Sequence, residues 1–500
     1  MIRAYAVADV QQAEAELMAT LHEGELMLRA AHGLAGVVRA RARELGAESI
    51  VVLVGPGNNG GDGMFAAADL APDHRVQVVH VGEAVHPDGR KAVEAAHVPL
   101  VGVERANVDL LPEVLDALAG ADLVLDALLG IGGRAGLSGA MGALVDRIPD
   151  TAYVVAVDTP SGVDPAGHHI GPHAVFADET VTFAVAKPVH LLPVTGPAVG
   201  LLTVVDIGLQ MTVTAGVERM EEDDVADRWP VPTTTDHKYS RGVVGVVAGS
   251  DSFPGAAVLT STAAVESGAG MVRYVGPERA TGFVLQAAPE VVPAEGRVQA
   301  WVLGPGVDPD ASDGGSQRQV QKVTAALESD DPCVVDAGAL SLFDYPRAGA
   351  TLLTPHAGEL ARLLTGWPGH QEVTRAEVEA DPVAWAQAAA HETGATVLLK
   401  GGTTVIADPD VHWPVRVASS APAWLATAGA GDVLAGLAGT LLAAGLSPRD
   451  AGSLAALVHG VAAHEANPGG PVRALAVASR IPGTVARLLQ REEPGATDPG

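Results

Sequence analysis

At 500 residues, with 48% apolar and 18% charged side chains, the chain has the composition of a soluble globular protein and exceeds what one hydrophobic core serves, so two or three domains are expected. A formal charge of −29 excludes general nucleic-acid binding, whose affinity comes from Lys and Arg neutralising phosphates. Cys333 is the single cysteine, which excludes an internal disulfide and any multi-cysteine metal site and makes the cytoplasm the expected compartment.

The N-terminal stretch MIRAYAVADVQQAEAELMATLHEGELM mixes apolar and charged residues at helical spacing, without the continuous apolar run of a signal peptide. Val7 to Arg43 is therefore expected to form one or two amphipathic helices, packed on a sheet edge or on a second copy of the chain, and a homo-oligomer is expected. From Ser49 to Gly208 short β-branched runs alternate with helical stretches: SIVVLVG, VQVVHVG, ADLVLDALLG, AYVVAVDTPSG, TVTFAV and GLLTVVDIG. That alternation predicts a parallel sheet covered by helices on both faces.

Between Gly208 and Val243 the apolar rhythm breaks, and the run Glu221, Glu222, Asp223, Asp224 followed by Pro230 and Pro232 marks a junction. The pattern resumes with GVVGVVAGS, MVRYVG, AWVLGPG, CVVDAGAL, TLLTPHAGE and TVLLKGGTTVIA, then a pair of Ala-rich helices. The expected division is a first domain over 1–215, a linker over 216–236, a second α/β domain over 237–490 and a disordered tail over 491–500. The most apolar stretch, Val433 to Leu446, is shorter than a membrane span of about 20 residues and reads as a buried helix, so no membrane association is expected.

Two glycine-rich loops of different design each end on an aspartate: GPGNNGGDG at Gly55 to Gly63 and TAGAGDVLAG at Thr427 to Gly436. Each follows an apolar segment and opens into a helical pattern, so backbone N–H groups at a helix N-terminus can face phosphate oxygens. Two such cradles suggest two nucleotide sites. In the first half, Asn58, Asn59 and Asp62 stand among the glycines, Asp126 ends LVLD ahead of the flexible loop GIGGRAG at Gly130 to Gly136, and Asp158 ends YVVAVD ahead of Ser161 and Asp164. Three strand ends thus bring oxygen ligands or a phosphate loop to one crevice, with Lys187 of AVAKP a fourth candidate. His168, His169 and His173 lack the carboxylate or cysteine spacing of a metal site and read as a solvated loop.

Taken in order, GPGNNGGDG, LVLDALLGIGG, VAVDTPSGVD, TVTFAVAKP and VVDIGL resemble the N-terminal, NAD(P)HX epimerase domain of the bifunctional NAD(P)H-hydrate repair family. The resemblance implies a Rossmann-like domain that interconverts the R and S epimers of hydrated NADH and NADPH. It implies that Asn58, Asn59, Gly60, Gly61 and Asp62, with Gly130, Ile131, Gly132, Gly133, Arg134, Ala135 and Gly136, hold NADHX or NADPHX. It further implies that Asn59, Asp126 and Ser161 coordinate K+, and that Asp158 is catalytic near the reacting carbon. An aspartate there can act as acid, base or electrostatic stabiliser while a hydroxyl departs and returns.

In the second half, Asp432 opens the helix DVLAGLAGTLL, where a carboxylate can take a proton from a substrate hydroxyl while the preceding N–H groups face a transferring phosphoryl group. GAGD before a helix resembles the ribokinase-like superfamily. With LKGGTTVI, TPHAGE, the loops at Gly249 to Gly270, LGPGV, CVVDAGAL and the pair His237–Lys238, it resembles the ADP-dependent NAD(P)H-hydrate dehydratase half of the same family. This implies a ribokinase-like α/β domain in which ADP phosphorylates the hydrate and elimination leaves NAD(P)H, AMP and phosphate. Lys400, Gly401, Gly402, Thr403, Thr404 and Gly431 would bind the nucleotide, Gly255, Ala256, Gly306 and His356 the hydrate, with Asp432 as base and Mg2+ on the phosphates. Gly338 stands where the family commonly has a second acidic residue beyond Asp336, and the loop reads TAGAG rather than the usual glycine pair. Two other readings stay open on the residues: a ribokinase-type small-molecule kinase with an accessory N-terminal domain, and a non-catalytic scaffold role for that domain.

Overall fold

The computed structural model describes residues 1–367 and 372–490; the tail 491–500 lies outside the described residues. The chain divides into two compact units, Arg3–Val217 and the chain from Glu218 onward together with Met1 and Ile2.

In the first unit, seven strands form one sheet: β1 (Ser49–Val54), β2 (Arg75–Val81), β3 (Leu100–Val103), β4 (Leu123–Ala127), β5 (Tyr153–Val157), β6 (Glu179–Phe183) and β7 (Leu201–Val205). Their order is β3-β2-β1-β4-β5-β6-β7, and every pairing is parallel. Parallel strands must be covered on both faces, which is why β1 reads as an apolar run after Ser49 and β4 is buried along its whole length. Alternate side chains of β1 serve two cores. Ile50, Val52 and Val54 pack with Leu34 and Val38 of the helix Glu25–Leu45, while Val51 and Leu53 pack with Val114, Leu118 and Leu144. The order reverses between β1 and β4, so the crevice at their carboxyl ends is the topological switch point where doubly wound sheets bind ligands.

Eight strands of the ten-stranded second sheet run β9-β8-β10-β11-β12-β13-β14-β15 over β8 (Val243–Val247), β9 (Met271–Tyr274), β10 (Ala300–Leu303), β11 (Cys333–Val335), β12 (Thr351–Leu353), β13 (Thr396–Leu399), β14 (Thr404–Ala407) and β15 (Val415–Ala418). Pairings from β9 to β13 are parallel, and β13-β14 and β14-β15 are antiparallel. Its switch point lies between β8 and β10. The helix Ala430–Ala443 is buried along nearly its whole length in the core of this unit, in agreement with its reading as an internal helix. Among the described residues no helix is long and apolar enough to cross a membrane.

The segment 216–236 is not a bare linker. It carries a strand at Val217–Arg219 and a helix at Asp223–Arg228, and Met220 and Val225 enter the second core. The acidic run masked these apolar positions, and part of its charge is matched: Asp224 meets the N-terminal ammonium at 2.9 Å and Glu222 meets Arg487 at 2.7 Å.

Candidate active sites

At the switch point of the first sheet the segment after β1 is packed too tightly for a side chain at Gly55 and Gly63. A Cβ on Gly55 would lie 1.8 Å from the Leu128 carbonyl oxygen and one on Gly63 2.5 Å from the Ala127 Cβ, so the loop and the end of β4 must be glycine-lined to meet. Gly57 caps the helix Asn58–Leu70, and the Asn59 amide stands against Gly130, where a Cβ would be 3.0 Å from it. The Asn59 Nδ2 is buried with no hydrogen-bond partner.

Asp126, at the end of β4, is fully buried and accepts from Ser161 N–H at 2.8 Å, Ser161 Oγ at 2.6 Å and Leu128 N–H at 3.2 Å. Burial raises its pKa to about 6, with the Ser161 and Leu128 bonds working against that rise. Asp158, just beyond β5, has a φ of 62°, a left-handed conformation that an ordinary residue adopts at a cost. The surroundings over-determine it. Its carboxylate accepts from Lys187 Nζ at 2.7 Å and Thr182 Oγ1 at 3.0 Å, and the Ile131 N–H reaches it at 3.4 Å. His190 Nδ1 accepts from the Lys187 N–H at 2.9 Å, so its Nε2 carries the proton and donates to the Asp158 carbonyl at 2.7 Å. Burial pushes the Asp158 carboxyl up, but Lys187 above all, with His190 and Thr182, outweighs it and holds the group below the ordinary carboxylate value.

Two further acids surround this ion pair. Asp62 is buried in the first helical turns after the glycine loop, and burial, reinforced by the charges of Asp158 and Glu14, pushes its pKa well above the ordinary value despite Lys187. Glu14, on the helix Val7–Met18, is also raised, first by burial. The structure therefore brings together Asn59, Asp62, Asp126, Gly130, Ile131, Asp158 and Ser161. Gly136, at φ 80°, donates to the Gly162 carbonyl at 2.8 Å and ties the second loop to the Ser161 turn, while Arg134 lies exposed. Thr182, His190 and Glu14 were not singled out from sequence. The H-bond between Lys187 and His190 closes a capping box whose three-residue spacing was legible; Glu14 carries no local motif. The histidine loop forms only pairs, His169 with Asp164 at 3.4 Å and His173 with Asp146 at 2.8 Å.

In the second unit, the carboxyl ends of β11, β12 and β13 gather a second cluster. Lys400, after β13, donates from Nζ to Asp336 Oδ1 at 2.7 Å, and Thr354 Oγ1 donates to the same oxygen at 2.9 Å. Glu359 lies 3.8 Å from Lys400 Nζ and forms a capping box with His356, accepting from the His356 N–H at 2.8 Å. Gly431 packs beside Lys400, where a Cβ would be 3.3 Å from Nζ. Asp432, next along the chain in the first turn of its helix, makes no ion pair with this lysine. Burial raises its pKa to about 7, with Asp336 adding and Lys400 opposing. Lys400 itself is held above the ordinary lysine value: burial disfavours its charge, but Asp336, Glu359 and Asp432 outweigh that.

Gly306, at φ 66°, packs on Ala256, where a Cβ would be 2.6 Å from the alanine Cβ, so the loops after β8 and β10 meet at the switch point. Gly255 opens onto an apolar cavity of about 570 Å³ with Val258, Leu259 and Phe283. Gly401 and Gly402 form an exposed turn into Thr403 and Thr404 at the start of β14. Gly338 is sterically required: a Cβ there would be 2.1 Å from the Val307 carbonyl oxygen, so this backbone has no room for an acidic side chain at that position. Glu359 and Thr354 were missed as site residues, although H-x-x-E spacing from His356 signals the capping box.

Residues 244–478 match the family described as NAD(P)H-hydrate dehydratase, and residues 23–189 match the family described as YjeF-related protein N-terminus. The bifunctional NAD(P)H-hydrate repair enzyme Nnr of Mycobacterium leprae is 41% identical over 477 residues, covering 92% of this chain and 93% of that protein. This chain belongs to the bifunctional NAD(P)H-hydrate repair family. The Escherichia coli member is 32% identical over 482 residues, covering 91% and 88%. A crystal structure of ADP/ATP-dependent NAD(P)H-hydrate dehydratase from Bacillus subtilis, co-crystallised with ATP/Mg2+, is 28% identical, covers 54% of this chain and 97% of that one, and superposes with a TM-score of 0.47. As in the repair family, an epimerase part and a dehydratase part follow one another in the chain, and the parallel α/β sheets found here agree with the domains the motifs implied.

Proposed function

We propose that the first unit equilibrates the R and S epimers of NADHX and NADPHX, and that the second dehydrates the S form at the expense of ADP, giving NAD(P)H, AMP and phosphate. The observation that carries this reading is that each matched domain brings an aspartate to the carboxyl ends of its own parallel strands, the buried Asp158 in one and the half-buried Asp432 in the other. Their electrostatics suit different tasks. Asp158, ionised and clamped, stabilises positive charge on a ring carbon as its hydroxyl leaves. Asp432, poised near neutrality, is matched to taking the proton of the hydrate's hydroxyl as ADP phosphorylates it.

Asn58 to Asp62 and Gly130 to Gly136 would hold the dinucleotide at the first switch point. Asn59, Asp126 and Ser161 fit K+: they are carbonyl, carboxylate and hydroxyl donors, and the buried Asn59 amide, orphaned as it stands, would offer its carbonyl oxygen to a cation when turned over. K+ would supply fixed positive charge and order the Asn59 and Gly130 loops. In the second unit Lys400 to Thr404 and Gly431 would meet the adenine nucleotide, and Gly255, Ala256, Gly306 and His356 the hydrate. Among the described residues no group of three or more His, Cys, Asp or Glu side chains is set to hold a metal, so Mg2+ would arrive on the nucleotide phosphates. Cytoplasmic action and assembly into a homo-oligomer complete the proposal.

The test is to incubate mixed NADHX epimers with the protein, ADP and Mg2+ and follow NADH absorbance. Full recovery is expected. Recovery of the S fraction alone, beyond spontaneous exchange, would contradict the epimerase; a stable phosphoester with no NADH would favour the small-molecule kinase reading.

A further inference from the structure

The acids around the first switch point differ sharply in what they touch. Asp158 is saturated by Lys187, Thr182 and the Ile131 N–H, and Asp126 by Ser161 and Leu128. Asp62 is also largely buried, at 9% exposure, yet among the described residues its carboxyl has no hydrogen bond or ion pair, and only through-space charges act on it. A carboxyl withdrawn from water with nothing to neutralise its charge keeps its proton. The loop that the epimerase reading assigns to the substrate carries it, and the neighbouring charges that act on it are Asp158, Glu14 and Lys187. One carboxyl held ionised beside another held neutral is the arrangement that separates electrostatic and proton-donating roles.

We propose that Asp62 is the proton donor to the departing hydroxyl in the epimerase site, with Lys187 the positioning residue that reserves Asp158 for charge stabilisation. This rests on the epimerase reading above. In the reaction, the Asp62 O–H protonates the hydroxyl on the ring carbon next to the ring nitrogen. The C–O bond breaks with its electron pair staying on oxygen, and water leaves. The nitrogen lone pair forms the C=N bond of a cation that the Asp158 carboxylate faces. Water then adds to the opposite face of that carbon, and the proton it releases returns through solvent water to the Asp62 carboxylate. The upward shift at Asp62, caused first by burial and then by Asp158 and Glu14, favours the protonated form that can donate.

The experiment uses the full chain with the purified R epimer and no ADP, and follows the S epimer chromatographically above the spontaneous rate. If the unaltered protein does not accelerate the exchange, the epimerase reading itself fails, and Asp62 is not in question. Given exchange, Asp62→Asn is expected to lower kcat by about 100-fold or more with little change in KM. Asp62→Glu should recover part of the rate, and the dehydratase rate of every variant on the S epimer should be unchanged. The unaltered enzyme should lose activity on the alkaline side as Asp62 deprotonates, a limb absent from the residual rate of Asp62→Asn. An Asp62→Asn protein with undiminished kcat and the same alkaline limb would overturn the proposal. So would a change confined to KM, or loss on Glu14→Gln with Asp62→Asn intact.

Discussion

The two sites hold the same chemical parts and wire them differently. Each sets a lysine among acids at the carboxyl ends of parallel strands. In the first unit the lysine grips the aspartate proposed as catalytic directly, with Lys187 Nζ 2.7 Å from Asp158. In the second it grips the neighbour, with Lys400 Nζ 2.7 Å from Asp336, and Asp432 is left raised to about 7. Which carboxylate the lysine takes decides whether the aspartate is a fixed negative charge or a base that can take a proton. An aspartate at the right strand end is therefore not a mechanism until its partner is known.

The strongest way to break the comparison is to remove the lysine that clamps Asp158. Lys187→Met leaves a buried carboxylate unpaired, and breaking such a pair costs about 3–5 kcal/mol, measurable by denaturant unfolding of the first unit. Because Asp158 lies below its ordinary pKa in the folded unit, the pair's stabilisation is present at neutral pH and is lost as pH falls through the folded value. The stability gap between the two proteins should accordingly narrow on acidification. Epimerase activity should fall on the order of 10²–10³-fold at neutral pH, and its acid limb should move to higher pH, which a purely structural lysine would not produce.

The milder way is to rewire the second site toward the first. Asp336→Asn removes a like charge from beside Asp432 and releases Lys400 from its ion pair, and both changes lower the Asp432 pKa. A base works when deprotonated, so the dehydratase rate, which should rise with pH through about 7 in the unaltered chain, should rise at lower pH in the variant. Profiles of kcat/KM against pH on the S epimer with ADP read the shift; an unmoved limb would remove Asp336 from the account.

The chain displays its loops more openly than its wiring. GPGNNGGDG, the strand-end Asp126 and Asp158, and TAGAGD are contiguous, and apolar runs before them place each at a sheet edge. The α/β alternation is equally local. Strand order is not, since β1 pairs with β4 across some seventy residues and periodicity carries no signal for that partner. The glycine-threonine turn marks Lys400 as a nucleotide contact, and no local pattern signals that its ammonium folds back on Asp336, 64 residues away. Thr182 reads as one more β-branched strand residue, and Glu14 as one polar position on an amphipathic helix. The 216–236 stretch shows the opposite error, where clustered acids hid Met220 and Val225, which are buried in the second core.

The most direct test of two differently wired, separately working sites is complementation on the pure R epimer with ADP and Mg2+. Asp158→Asn alone and Asp432→Asn alone should each form NADH no faster than spontaneous exchange or spontaneous dehydration allows. The two proteins mixed should restore conversion to the level set by the slower intact site, the S epimer passing through solution between them. A mixture no better than either variant would contradict the account.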